Sequence, residues 1–171
     1  INIYAKRLLF VIDRSGSMKE VVLGQTRIQR AKRELITAIN GLDEQCEFGI
    51  LIFDKEVTAW REELVQATEK NKRNAVRFID YLVAGKTTNT YGALRRSLEF
   101  DEQLEAIFLL TDGKPTTGLI IHPNAILNDI LNRNESHNIT INTIAIAVEP
   151  LVETFLRNLT KPSDGEFRKV N

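Results

Sequence analysis

Leu8–Met18 reads LLFVIDRSGSM, and the abrupt change at Asp13 from aliphatic to polar decides how the rest of the chain is read. Leu8 to Ile12 has the length and apolar continuity of a strand covered on both faces, the pattern of a parallel sheet. Asp13 then emerges at the strand's carboxyl end, with the hydroxyls of Ser15 and Ser17 in the loop that follows. One carboxylate and two neutral oxygens suit a hard divalent cation such as Mg2+ and are a poor match to zinc or copper. D-x-S-x-S is also ordinary turn chemistry, so this segment alone leaves both readings standing.

Two later segments shift the balance. Ala106 to Thr111, AIFLLT, is a second apolar run, and it too ends in a carboxylate and a glycine, Asp112 and Gly113. Between the two runs, Gly85 to Leu94 reads GKTTNTYGAL, a hydroxyl-rich loop leading into a helical pattern. With these three segments the chain resembles the von Willebrand factor type A family. That family's metal-ion-dependent adhesion site (MIDAS) is assembled from a D-x-S-x-S loop, a Thr from a second loop and an Asp from a third, in that chain order. The resemblance places Asp13, Ser15 and Ser17 in the first loop, Thr88 in the second and Asp112 in the third. Thr88 fits through the register of Asn89, Tyr91, Gly92, Ala93 and Leu94. Lys86-Thr87 stands where many relatives carry glycines, so Thr87 competes with Thr88 as the ligand. The resemblance runs from about Lys6 to about Arg168. LIFDKEVTAW and TDGKPTTG are closer in flavour to bacterial members than to animal integrin inserted domains.

The resemblance implies Mg2+, or Mn2+ or Ca2+, held by those five residues, with an open coordination position filled by a Glu or Asp carboxylate of a partner protein. Function would then be adhesion or protein–protein interaction without catalysis. Thr87, Tyr91, Lys114 and Thr116 are candidates for a partner-contacting rim, although an aromatic opening a helix also reads as packing. Two other classes compete. One is the metal-site subunit or domain of an intracellular ATPase or chelatase-type complex. The other is a Mg2+-dependent phosphotransferase, since a strand ending in Asp can present a nucleophile. The place two residues on, where such enzymes need an acid/base, holds Ser15, and no G-x-x-x-x-G-K-[ST] or G-x-G-x-x-G loop is present.

Composition narrows the classes further. A chain of 171 residues fits one domain, 1–171, able to bury roughly 70% of its unfolded surface. The 23 basic and 23 acidic residues balance, which argues against nucleic acid as a partner. No apolar run approaches the roughly 20 residues of a membrane span, so no direct membrane insertion is expected. The start without Met reads as a domain cut from a longer protein, expected to be monomeric when isolated and extracellular or cell-surface rather than cytoplasmic. Cys46 reads as a buried apolar thiol, and His122 and His137 as surface or capping residues. The basic clusters Arg27, Arg30, Lys32, Arg33 and Lys70, Lys72, Arg73, Arg77 read as solvated helix faces.

The apolar periodicities predict strands at Arg7 to Ile12, Glu47 to Phe53, Ala106 to Thr111, Thr140 to Val148 and Glu166 to Lys169, with a short one near Val57 to Trp60. Helices are predicted at Thr26 to Asn40, Asn71 to Val83, Tyr91 to Phe100, Pro123 to Asn132 and Pro150 to Leu159. Strands alternating with helices of this length imply an α/β, doubly wound, mostly parallel open sheet with helices on both faces. The family adds one short antiparallel edge strand and a Rossmann-like order. In such sheets ligands bind outside the strand carboxyl ends where the strand order reverses, which would bring Asp13 and Asp112 into one crevice.

Overall fold

A computed structural model describes residues 4–170. In chain order the strands are β1 (Arg7–Asp13), β2 (Val21–Val22), β3 (Gln25–Thr26), β4 (Glu47–Phe53), β5 (Val57–Ala59), β6 (Val65–Gln66), β7 (Ala106–Thr111), β8 (Thr140–Ile146) and β9 (Phe167–Val170). The helices are α1 (Arg27–Asn40), α2 (Glu69–Asp80), α3 (Thr90–Leu98), α4 (Pro123–His137) and α5 (Pro150–Thr160). The main sheet has the order β5-β4-β1-β7-β8-β9. β1 pairs in parallel with β4 on one side and β7 on the other, and β8 and β9 continue the parallel run. β5 is antiparallel at the edge as expected, and β6 adds a second short antiparallel pairing on β4 that the sequence reading lacked.

Alternation along the strands divides the core in two. Phe10, Ile12, Phe48, Ile50 and Phe108 pack with Ala31, Leu35 and Ile39 of α1 and Ile79 of α2. Val11, Leu51, Phe53, Ile107 and Leu109 pack with Leu94 of α3, Ile130 of α4 and Phe155 and Leu156 of α5. Because β1, β4 and β7 are apolar on both faces, neither face can be left to water, and this is the physical reason for helices on both sides. The chain leaves β1 toward β4 on one side and later enters β7 on the other. The strand order therefore reverses between β1 and β7, and the carboxyl ends of those two strands open a crevice between them.

Three local features depart from the sequence reading. β2 and β3 form a hairpin through Leu23 and Gly24, whose φ values of 50° and 80° are those of a tight primed turn. α4 runs on to His137 and stops at Asn138, which takes the left-handed conformation, while the buried Asn134 side chain bonds both backbone polar groups of Ile139. Lys72 does not belong to a solvated face. It is buried, and its Nζ donates to the Leu42 carbonyl at 2.6 Å just past the end of α1. A cation there satisfies an orphan carbonyl and complements the helix dipole. No described helix is long and apolar enough to cross a membrane.

Candidate functional site

β1 ends at Asp13, whose side chain is fully buried. The Ser15 N–H donates to Asp13 Oδ1 at 2.7 Å, and the Thr111 hydroxyl donates to Oδ2 at 2.6 Å. The first loop then closes into a single helical turn, Gly16–Lys19, anchored by the buried Met18. Gly16 is required by proximity: a Cβ there would stand 2.9 Å from the Lys86 carbonyl oxygen of the second loop. Ser15 Oγ and Ser17 Oγ lie 3.1 Å apart, and the Ser17 hydroxyl donates to Asp112 Oδ1 at 2.9 Å, which ties the first loop to the end of β7.

The second loop is held from three directions. The Gly85 N–H donates to the Arg14 carbonyl and the Asn89 N–H to the Asp54 carbonyl at 2.7 Å. Asn89 also caps α3, its Oδ1 accepting from the Gly92 N–H at 2.9 Å. Thr88 is stitched to the third loop, its N–H donating to Thr116 Oγ1 at 2.9 Å and its carbonyl accepting from the Thr116 N–H at 2.9 Å. These bonds fix the backbone of Thr88. A Cβ at Gly113 would stand 3.6 Å from Ser17 Oγ, 3.8 Å from Thr88 Oγ1 and 3.9 Å from Asp13 Oδ2. Oxygens of the first two loops thus crowd the start of the third, where Gly113, having no side chain, leaves the space open.

Five residues singled out in the sequence, Asp13, Ser15, Ser17, Thr88 and Asp112, are therefore brought together. Among the described residues there is no group of three or more His, Cys, Asp and Glu side chains suited to a metal. The donor set is instead two carboxylates and three hydroxyls, oxygen only, which fits a hard cation. The competing threonine is placed differently: the Thr87 hydroxyl is out of solvent with no hydrogen-bond partner. Of the expected rim, Lys114 and Thr116 are exposed. Tyr91 corrects the expectation. It is buried, and its hydroxyl donates to Asp129 at 2.9 Å, so it braces α3 against α4 and cannot meet a partner.

Burial dominates the electrostatics. Asp13 is pushed up to about 7, first by loss of solvent and then by the neighbouring Asp112 charge, against the opposing bonds from Thr111 and Ser15. Asp112 is also raised by burial, partly countered by the Ser17 and Arg27 bonds. Arg27, at the first position of α1, does not belong to the solvated face expected of its cluster. Its guanidinium instead reaches into the crevice, Nη1 lying 2.9 Å from Asp112 Oδ2 and 2.9 Å from Glu20 Oε2. The signal available in the sequence was its place inside the T-x-x-Q capping box, directly after Thr26, in which Thr26 and Gln29 bond each other's backbone and fix the first turn of α1. Arg30, from the same cluster, is likewise buried, and its Nη2 bonds the Val22 carbonyl of the hairpin at 2.5 Å.

The crevice has a volume of about 330 Å³, and its lining includes Ser17, Arg27, Lys86, Thr88, Asp112 and Lys114. A larger hollow of about 520 Å³ lies at the amino ends of β7 and β8, away from these groups.

Comparison with known proteins adds the family. The von Willebrand factor type A domain matches residues 8–114, a span that holds all five residues. Inter alpha-trypsin inhibitor heavy chain 4 of Mus musculus is 32% identical over 137 residues, covering 74% of this chain and 14% of its own length. The chain therefore spans a small part of that relative. A von Willebrand factor type A structure from Catenulispora acidiphila superposes with a TM-score of 0.77 at 20% identity, covering 96% of this chain and 38% of the other. Proximal thread matrix protein 1 from the mussel byssus, described with a zinc-occupied MIDAS motif, gives a TM-score of 0.65 at 15% identity over 96% of this chain and 43% of its own. With the family match spanning β1 through β7 and the parallel sheet shared with these structures, the chain belongs to the von Willebrand factor type A domain family.

Proposed function

We propose that the crevice binds one divalent cation, Mg2+ ahead of Mn2+ or Ca2+, through Asp13, Ser15, Ser17, Thr88 and Asp112, and that the cation recruits a Glu or Asp of a partner protein. The observation that carries this reading is the meeting of two buried carboxylates with three hydroxyls, contributed by three loops, where Ser17, Thr88 and Asp13 surround the side-chain position of Gly113 and Ser17 contacts Ser15 and Asp112. Two carboxylates out of solvent, one of them held near neutral pH, form a site that a cation would stabilise strongly. A bound cation would supply a Lewis-acidic point able to take one more oxygen ligand. The chain's own part is to hold the oxygens in place and to keep the mouth open beside Lys86 and Lys114. The zinc in the motif of the mussel protein supports a cation at this place in the fold.

Binding is favoured over phosphoryl transfer by the state of Asp13. Its two oxygens are already engaged by the Ser15 N–H and the Thr111 hydroxyl, which orients the carboxylate and blunts it as a nucleophile. The test is the interaction of the domain with Glu-bearing peptides. Binding should disappear with EDTA, return with Mg2+ or Mn2+, and weaken at least about tenfold when Glu becomes Gln, since the amide loses its charge interaction with the cation. Binding indifferent to chelation, or Asp13-dependent turnover of an activated phosphate ester, would overturn the reading.

A further inference from the structure

Beside the crevice lies a second hollow of about 280 Å³. Its walls are the loop after β7, the first turn of α4 and the outer side of α5, and its apolar lining is Pro115, Leu127, Leu151, Val152 and Phe155. Lys114 and Val152 line both hollows, so the groove and the crevice share a wall. Leu151 stands 77% exposed at the start of α5, although the rest of that helix buries its apolar residues against the sheet. The loop that forms the opposite wall exposes Leu119 and Ile121 as well. An apolar hollow that carries the exposed Leu151 and is continuous with a polar crevice marks an interaction surface.

We infer that this groove receives an aliphatic side chain of the same partner segment whose carboxylate enters the crevice, so that the domain selects an acidic residue followed or preceded closely by an apolar one. The inference rests on the cation-dependent binding proposed above and adds a second anchor to it. Charge at the shared wall fixes the order of parts. Among the described residues Lys86 and Lys114 form no ion pair, whereas the acidic Glu20 on the same rim is engaged by Arg27. The uncommitted charge facing an arriving chain is thus mostly positive on the crevice side, with Glu149 the acidic exception, and apart from Lys114 at the shared wall no Lys, Arg, Asp or Glu lines the groove. An acidic-plus-aliphatic segment of another protein matches both halves, while a purely acidic one leaves the groove wet.

The test uses short synthetic peptides with one Glu and one Leu at stepped separations, with Leu→Ala and Glu→Gln controls. Binding to the domain in Mg2+ is followed by fluorescence polarisation. At the matching separation the Leu peptide should bind about tenfold tighter than its Ala control, the gain expected from burying part of one Leu side chain. Leu151→Asp should abolish that gain while leaving Mg2+ affinity and the melting temperature as they are, because Leu151 is exposed and touches none of the five oxygens' residues. Equal binding of Leu and Ala peptides at every separation, with Glu dependence and EDTA sensitivity intact, overturns the groove alone. Loss of Glu dependence and EDTA sensitivity overturns the cation reading and this inference with it. Self-association abolished by Leu151→Asp, with no Leu-dependent gain, assigns the groove to a second copy and also overturns the inference.

Discussion

Replacing Arg27 by Gln separates two effects that its guanidinium has on the crevice. Nη1 sits 2.9 Å from both Asp112 and Glu20, but the Asp112 carboxylate is fully buried and the Glu20 side chain is 61% exposed. The Glu20 contact is therefore screened and weak, and the stabilisation resides in the Asp112 contact. Without the guanidinium, Asp112 keeps the Ser17 hydroxyl and is left buried beside the Glu20 charge with no cation. Removing one member of a buried pair costs about 3–5 kcal/mol. Asp112 has an escape, since burial already raises its pKa and it can take up a proton, so about 2–3 kcal/mol is the expected loss in metal-free protein near neutral pH. That loss lowers Tm by roughly 4–12 °C for a domain of this size. A bound divalent cation would return positive charge to Asp112, which leaves a deficit of about 1 kcal/mol in the loaded state. Closing the cycle, cation affinity must rise by the difference, about 1–2 kcal/mol, or on the order of tenfold. Thermal melts with and without Mg2+, paired with calorimetric titration, read both legs. Arg27→Gln with unchanged or weaker cation affinity would refute this reasoning and make Arg27 an aid to the cation instead of its competitor.

Acidity gives a second expectation. In the metal-free native state Asp13 holds its proton up to about pH 7, against 3.8 ordinarily, so the stability it contributes is full below about pH 4 and is lost as pH rises to about 7. Cation binding must expel that proton, so affinity should fall by up to about tenfold per pH unit below about 7, seen as buffer-dependent heats in calorimetry. Affinity that stays flat across that interval would contradict it. The two threonines should also part: Thr88→Val removes a crevice oxygen and weakens the cation about tenfold, whereas Thr87→Val deletes a buried hydroxyl without a partner and should raise stability by about 1 kcal/mol in denaturant titration. Gly16→Ala forces a methyl against the Lys86 carbonyl, and should cost about 1–3 kcal/mol and weaken cation binding by spreading the first two loops, with no change in helix or strand content by circular dichroism.

The sheet was legible because β1 and β7 are apolar runs whose carboxyl ends are marked by Asp13 and Asp112. Helix faces were legible from spacing alone, as at Ile28, Ala31, Leu35 and Ile39. What escaped depends on neighbours distant in the chain. Arg27 and Lys72 look like members of charged runs, and only the third loop in one case and the end of α1 in the other make them buried partners. Tyr91 packs into the apolar cluster with its hydroxyl on Asp129, 38 residues away. β6 is too short to carry a period, and it exists because Glu47 and Phe48 offer it an edge. The Thr116 bonds that hold the backbone of Thr88 also join residues far apart in the chain.

The central claim is that Asp13 and Asp112 jointly create a cation site, and Mn2+ titration followed by electron paramagnetic resonance tests it most directly. The wild-type domain should bind Mn2+ at a single site displaced by Mg2+, and Asp13→Asn and Asp112→Asn should each weaken it at least about tenfold while melting cooperatively. Wild-type protein that binds no Mn2+, or two variants that bind it as tightly as the wild type, would contradict the claim.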